Sequence, residues 1–168
     1  IIRFISISNI NIFCLPLQTY KNLADFIKFV YYKANIIKDK NMMILLSCAK
    51  TMSKHSKIQV PASTNPVFQK EASKIILHLS QYSVNELKEI LHVPERLAAE
   101  NSLRFHEFHS NETPSLQALL AYTGIVFKNI APQNFTPEDF TYAQEHLRIT
   151  SFCYGLLRPM DTIKPYRL

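Results

Sequence analysis

Only two glycines, Gly124 and Gly155, occur in the 168 residues of this chain. Glycine is the residue that lets a backbone take positive φ cheaply or approach another group closely. A loop that cradles phosphate with successive backbone amides needs several glycines in a short stretch. No glycine-rich phosphate loop is therefore possible here, and any anion must be gripped by side chains.

Element boundaries fall instead on prolines and capping residues. Met42 to Ser47 is an apolar run entering Cys48-Ala49-Lys50, which reads as a buried strand leading into a loop. Residues 54–64 are polar, lack periodicity and contain Pro61, and are expected to form a loop. Asn65-Pro66 supplies an N-cap and a first-turn proline for a helix carrying Phe68, Ala72, Ile75, Ile76 and Leu79 at helical spacing. Ser83 and Glu86 form a capping box ahead of Val84, Leu87, Ile90 and Leu91. Val93-Pro94 ends that helix, and Pro94 opens another through Leu97, Ala98, Leu103 and Phe105 to about Phe108. Pro114 and the apolar 116–122 stretch predict one more short helix, stopped at Gly124. Thr136-Pro137-Glu138-Asp139 starts a helix with acids in its first turn, carrying Phe140, Ala143 and Leu147. Arg148 to Phe152 is expected to be a second buried strand, leading into a Tyr154-Gly155 turn. The predicted class is α/β or α+β, with mixed helices around a small, incomplete sheet and a helical hairpin at 84–108.

The formal charge of +6 is unevenly placed. Residues 1–41 hold six basic and two acidic side chains, whereas 42–168 hold thirteen and eleven. The first segment begins with Ile, and 26 of its 41 residues are Ile, Asn, Lys, Phe or Tyr, the products of A/T-rich codons. It is expected to be extraneous upstream sequence or poorly ordered, with a short amphipathic helix at Leu23–Tyr32. Its apolar start, Ile1 to Leu17, is interrupted by Arg3, Ser6, Ser8, Asn9 and Asn11 and is too short to span a bilayer. No signal-peptide cleavage pattern follows it. Cys14, Cys48 and Cys153 have no paired spacing and read as free thiols in a reducing cytoplasm. The domain of interest is thus expected over 42–168, cytoplasmic and without a membrane anchor.

The last stretch, HLRITSFCYGLLRPMDTIKPYRL, interleaves basic and aromatic residues with stiff turns. It resembles the signature of the YaaA family of bacterial peroxide stress resistance proteins. Three further blocks match in the same order: MMILLSCAKTM at 42–52, ERLAAENSLRF at 95–105 and QALLAYTGIVFKNI at 117–130. Cys48 stands where the family has proline. The resemblance implies the N-terminal half of a family domain, cut short after Leu168. It also implies resistance to hydrogen peroxide, limitation of free iron, and DNA binding through a hairpin resembling helix-hairpin-helix. Such hairpins use glycine amides to hold phosphate. Here the turn is Leu91-His92-Val93-Pro94, with no glycine.

The candidate anion or nucleic-acid contacts are Lys50, Arg104, Arg148, Arg158 and Arg167, with Tyr154 and Tyr166 as stacking platforms. Arginine offers a rigid fork of donors suited to phosphate, and aromatic rings stack on bases. Asp161 is a candidate to orient an arginine. His106 and His109 lie one turn apart but miss the H-E-x-x-H spacing, and a metal or other cofactor is not expected. No Ser-His-Asp order, carboxylate pair or Cys-His dyad is present to assign a reaction. The expectation is a non-catalytic protein holding DNA in a basic cleft. An enzyme acting on a nucleotide or other phosphorylated small molecule stays open as an alternative, as does an inactive fragment. Oligomeric state is left open by the sequence.

Overall fold

A computed structural model describes residues 3–7, 10–14 and 42–168. The helix expected at Leu23–Tyr32, and most of the segment expected to be extraneous, lie outside the described residues. Five strands form one sheet: β1 (Arg3–Ile7), β2 (Ile10–Cys14), β3 (Met42–Ser47), β5 (Leu147–Ser151) and β6 (Gly155–Leu157), hydrogen-bonded in that order. β1 and β2 run antiparallel, with Arg3 opposite Cys14 and Ile7 opposite Ile10. β2 and β5 both flank β3 in parallel, pairing Ile12 with Met43 and Leu46 with Ile149. β6 turns back antiparallel on β5. A second, two-stranded sheet joins β4 (Leu116–Gln117) to β7 (Thr162–Ile163). The class is α/β.

The β5 side chains alternate as a strand buried on one face requires. Leu147, Ile149 and Ser151 are buried, while Arg148 and Thr150 are partly exposed. Ile149 and Leu157 sit opposite each other in the core, against Ile44 and Leu46 of β3. Six helices complete the described fold: α1 (Gln69–Leu79), α2 (Val84–Leu91), α3 (Glu95–Glu107), α4 (Ala118–Ala121), α5 (Ile125–Ile130) and α6 (Pro137–His146).

Two helix starts follow their capping residues. The Ser83 Oγ accepts from the Glu86 amide at 3.4 Å and the Ser83 amide donates to Glu86 Oε2 at 2.8 Å. Hydrogen bonds from the Ser83 side chain and amide hold the Glu86 carboxyl below the ordinary range. Thr136 and Asp139 repeat the device at α6, at 3.2 and 2.9 Å. The α1 start differs from expectation: it begins at Gln69, and no side chain caps it. Asn65 lies ahead of that start, and its carbonyl accepts from Arg158 Nη2 at 3.1 Å.

α2 and α3 form the predicted helical hairpin. His92 takes the left-handed conformation, φ 50° and ψ 48°, where glycine is usual. Its amide donates to the Glu89 carbonyl at 3.4 Å and that of Val93 to Lys88 at 3.2 Å. Pro94 has no amide. The His92 and Val93 amides are thus satisfied within the hairpin, while the first turn of α3, Glu95 and Arg96, has no side-chain cap. α3 buries Ala98, Asn101 and Phe105, while Leu103 is exposed.

The single helix expected over 116–122 is instead a short strand followed by one helical turn. Tertiary backbone bonds intervene: the Ala118 amide donates to the Asp161 carbonyl at 2.8 Å and Leu119 to Pro159 at 3.0 Å. Gly124 does not stop a helix but precedes α5. Its φ is ordinary, and its requirement is space, since a Cβ there would lie 2.7 Å from Ala49 Cβ. Gly124→Ala is expected to lower stability by about 1–3 kcal/mol through forced backbone shifts. A thermal melt superimposing on that of the parent chain would show that Ala49 yields freely.

Candidate anion-binding site

Open α/β sheets build sites beyond the carboxyl ends of their parallel strands. In this chain those ends are Ser47 of β3 and Ser151 of β5. The Cys48 amide prolongs the ladder by donating to the Thr150 carbonyl at 3.1 Å. The segment 49–53 then leaves the sheet and is clamped on two sides. On one side, the Ser53 amide donates to the Ala121 carbonyl at 2.7 Å and the Thr123 amide to Thr51 at 3.0 Å. The Thr123 hydroxyl also donates to Thr51 Oγ1 at 3.0 Å. On the other side, the Tyr166 amide donates to Met52 Sδ at 3.5 Å and Arg167 Nη1 to the Lys50 carbonyl at 3.4 Å.

Behind this segment lies a chain of three hydroxyls. Tyr166 sits between Ser151 Oγ at 2.6 Å and the Tyr122 hydroxyl at 2.7 Å. Ser151 Oγ also accepts from the Tyr154 amide at 2.9 Å. All three residues are buried, Tyr122 being 2% and Ser151 8% exposed. Burial, with the neighbouring Tyr166, raises the Tyr122 phenol far above its ordinary value. Burial likewise pushes Tyr166 up to about 12, against the opposing pull of its bonds to Ser151 and Tyr122. Both phenols are thus neutral hydrogen-bonding groups at physiological pH.

The predicted contacts divide into groups. Tyr166 and Arg167 meet the 50–52 segment at the strand ends, Arg167 through the Lys50 backbone carbonyl, and the Lys50 side chain is exposed. Among the described residues neither Lys50 nor Arg167 pairs with a carboxylate. Arg148 and Arg158 belong to a polar network around the fully buried Asp161. Arg158 donates to Asp161 Oδ1 from Nε at 3.1 Å and from Nη2 at 2.9 Å, and its amide to Oδ2 at 2.8 Å. Asp161 thus orients the arginine as expected, and Thr64 Oγ1 donates to it at 2.6 Å. Arg148 Nη1 is occupied by the Gln144 and Leu147 carbonyls at 2.9 and 2.7 Å. Burial and then the charge of Arg158 lower its pKa, with Asp161 acting the other way. Among the described residues no side-chain hydrogen bond joins this network to the strand-end cluster.

Arg104 forms an ion pair with Glu100, one turn away on α3. Tyr154 is fully buried, its ring enclosed beside Phe108 and Tyr166 and its hydroxyl accepting from the Lys164 amide at 3.0 Å. An enclosed ring has no free face for a base, which removes Tyr154 from the stacking platforms. The same holds for Tyr166, 5% exposed, whose role in the cluster is its hydroxyl. Sequence reasoning missed Tyr122 and Ser151. The signals present were an inward position on β5 for Ser151 and, for Tyr122, a polar-tipped ring inside an apolar run.

Burial raises the Cys48 thiol and pushes Cys153 up to about 12. Neither has the depressed pKa of a reactive thiolate. His106 Nδ1 donates to the Ser102 carbonyl at 2.7 Å. Among the described residues no three His, Cys, Asp or Glu side chains are grouped to hold a metal, and no helix is long and apolar enough to cross a membrane.

Fold and cluster together define an α/β protein with cations and hydroxyls gathered where its parallel strands end. The chain belongs to the peroxide stress protein YaaA family, whose sequence model matches residues 42–168. It is 61% identical over 127 residues to a UPF0246 protein of Bacteroides thetaiotaomicron, covering 76% of this chain and 49% of that protein. A UPF0246 protein of Bacteroides fragilis is also 61% identical, over the same shares. One from Crocosphaera subtropica is 41% identical over 127 residues, 76% of this chain and 50% of the relative. The chain spans about half the length of the curated relatives it matches.

Proposed function

We propose that this chain supplies the DNA-contacting half of a cytoplasmic peroxide stress protein, with Lys50 and Arg167 holding backbone phosphates. The observation that carries the reading is the bond from Arg167 Nη1 to the Lys50 carbonyl, which joins the two residues at the strand ends, with no carboxylate partner for either among the described residues. A cation free of an acid keeps its full attraction for phosphate, whereas Arg104 and Arg158 already have theirs committed. In the hairpin the turn amides of His92 and Val93 are satisfied internally, and its backbone donors are those of Glu95 and Arg96 in the uncapped first turn of α3. Limiting the damage done by peroxide and free iron fits a protein that occupies DNA, and the role is binding. The half-buried, raised-pKa Cys48 and the enclosed Cys153 argue against thiol chemistry as its basis.

Fluorescence anisotropy of a labelled duplex across a salt series tests this. Arg167→Ala and Lys50→Ala are each expected to weaken binding about three- to tenfold and to shallow the salt slope by about one. Arg104→Ala is expected to change affinity less than twofold, about 0.4 kcal/mol. Equal affinities for the parent chain and the Lys50/Arg167 double variant would refute the proposal. A second reading, an enzyme acting on a nucleotide or another phosphorylated small molecule, draws on the enclosed hydroxyls. Against it, no His, Asp or Glu side chain is hydrogen-bonded into the cluster among the described residues.

A further inference from the structure

We infer that the second edge of β3 is a docking edge for a strand of the kind held in the unmatched half of this chain's relatives. In this chain the β1–β2 hairpin occupies that edge, and it fills only part of it.

β3 is built to be an inner strand. Met42 to Leu46 is an unbroken apolar run, as in parallel strands covered on both faces. Met43, Ile44, Leu45 and Leu46 are all partly buried, so neither face of the strand lies open. An apolar strand with a bare edge is a template for unwanted pairing. β5 satisfies one edge, from Ile44 opposite Leu147 to Ser47 opposite Thr150. β2 takes the other edge in parallel, but only from Asn11 opposite Met42 to Phe13 opposite Ile44. Among the described residues Leu45, Leu46 and Ser47 have no strand partner on that side.

The extent of the family match selects the occupant. It starts at residue 42, so β3, β5 and β6 lie inside it and β1 and β2 outside. The relatives therefore carry β3 without a matched β2, and its second edge takes another neighbour. Within 42–168 no strand is spare: β6 is paired on the far side of β5, and β4 and β7 pair with each other. The matched part covers 49% of the Bacteroides thetaiotaomicron protein, which leaves about half of its length to provide the strand. A strand running the full length of β3 would add backbone bonds along Leu45 to Ser47 that β2 does not make. In strand addition such main-chain bonds carry the affinity. β2 is thus a partial stand-in that a longer strand displaces.

The test takes the part of the Bacteroides thetaiotaomicron protein outside the match as a separate, labelled polypeptide and titrates it with the 168-residue chain by anisotropy. An edge already paired must open before the probe binds, which lowers apparent affinity by the fraction open. Consecutive strand residues face opposite edges, so Ile12→Pro/Phe13→Pro removes an amide from each edge of β2, the one on β3 included. That variant is expected to bind the probe about tenfold more tightly than the parent chain does. Hydrogen exchange on the parent chain, read by mass spectrometry, decides the matter should the variant not fold. Saturating probe is expected to release protection in residues 10–14 while residues 42–47 keep or gain theirs. Equal affinities in parent and variant, no binding to either, or unchanged exchange in both segments overturns the inference. A variant that dimerises instead of taking the probe would assign the edge to a second copy, and overturns it equally. Duplex binding that depends on Arg167 is a separate reading and stands or falls by its own titration.

Discussion

Asp161→Ala is expected to destabilise the chain by about 3 kcal/mol, read as a shift in urea midpoint at unchanged slope. Asp161 is fully buried and accepts from the Thr64 hydroxyl, the Arg158 amide and two guanidinium nitrogens. Truncation removes all four bonds and leaves the Thr64 and Arg158 donors without their acceptor. The purely coulombic part is discounted, because the Arg158 side chain is 34% exposed and can turn to water. The larger loss is architectural. Thr64 also accepts from Gln144 Nε2 at 3.1 Å, and Gln144 Oε1 accepts from the Met160 amide at 2.8 Å. One carboxylate thus ties the 64–65 loop to α6 and to the 158–161 turn. Asp161→Asn, which retains shape and one acceptor oxygen, should fall between the two. A midpoint within about 0.5 kcal/mol of the parent for Asp161→Ala would mean that water replaces the carboxylate without loss.

Tyr154→Ala is expected to cost about 3–5 kcal/mol, the usual range for emptying a fully buried aromatic site. Tyr154→Phe should cost about 1 kcal/mol, for the lost acceptor of the Lys164 amide. Duplex affinity, measured where the variant remains folded, is expected to be unchanged. A stacking role would produce the reverse: a loss of about 1–3 kcal/mol per base in binding and a smaller effect on the melt. The two measurements on one substitution therefore separate an enclosed core ring from a nucleic-acid platform.

Much of the fold was legible because its signals are local. The Ser83–Glu86 and Thr136–Asp139 boxes each span four residues, and the alternation in β5 spans five. In each case the stabilising bond or the buried face is written within one turn or one strand. The predicted elements that moved did so where distant backbone took over. Asn65 is held by a residue 93 positions away, and the 116–122 stretch is remodelled by amide bonds to Pro159 and Asp161. Leu103 shows a milder case: it lies two residues from both Asn101 and Phe105, off the buried face of Ala98, Asn101 and Phe105, where Asn101 bonds the Leu97 carbonyl at 2.9 Å.

By itself the amino-acid sequence determined the class of the fold, the caps and strands that build it, and the exclusion of a glycine-based phosphate loop. It also marked the basic and aromatic residues from which a site is made. Only the tertiary structure decided which of them are available. Arg158 and Arg104 are committed to acids, Tyr154 and Tyr166 are enclosed, and Lys50 and Arg167 meet at the strand ends across 117 positions of chain. The physical reason is that a side chain's charge and hydrogen-bonding capacity belong to its type. Whether a neighbour has already used them depends on contacts between residues far apart in sequence.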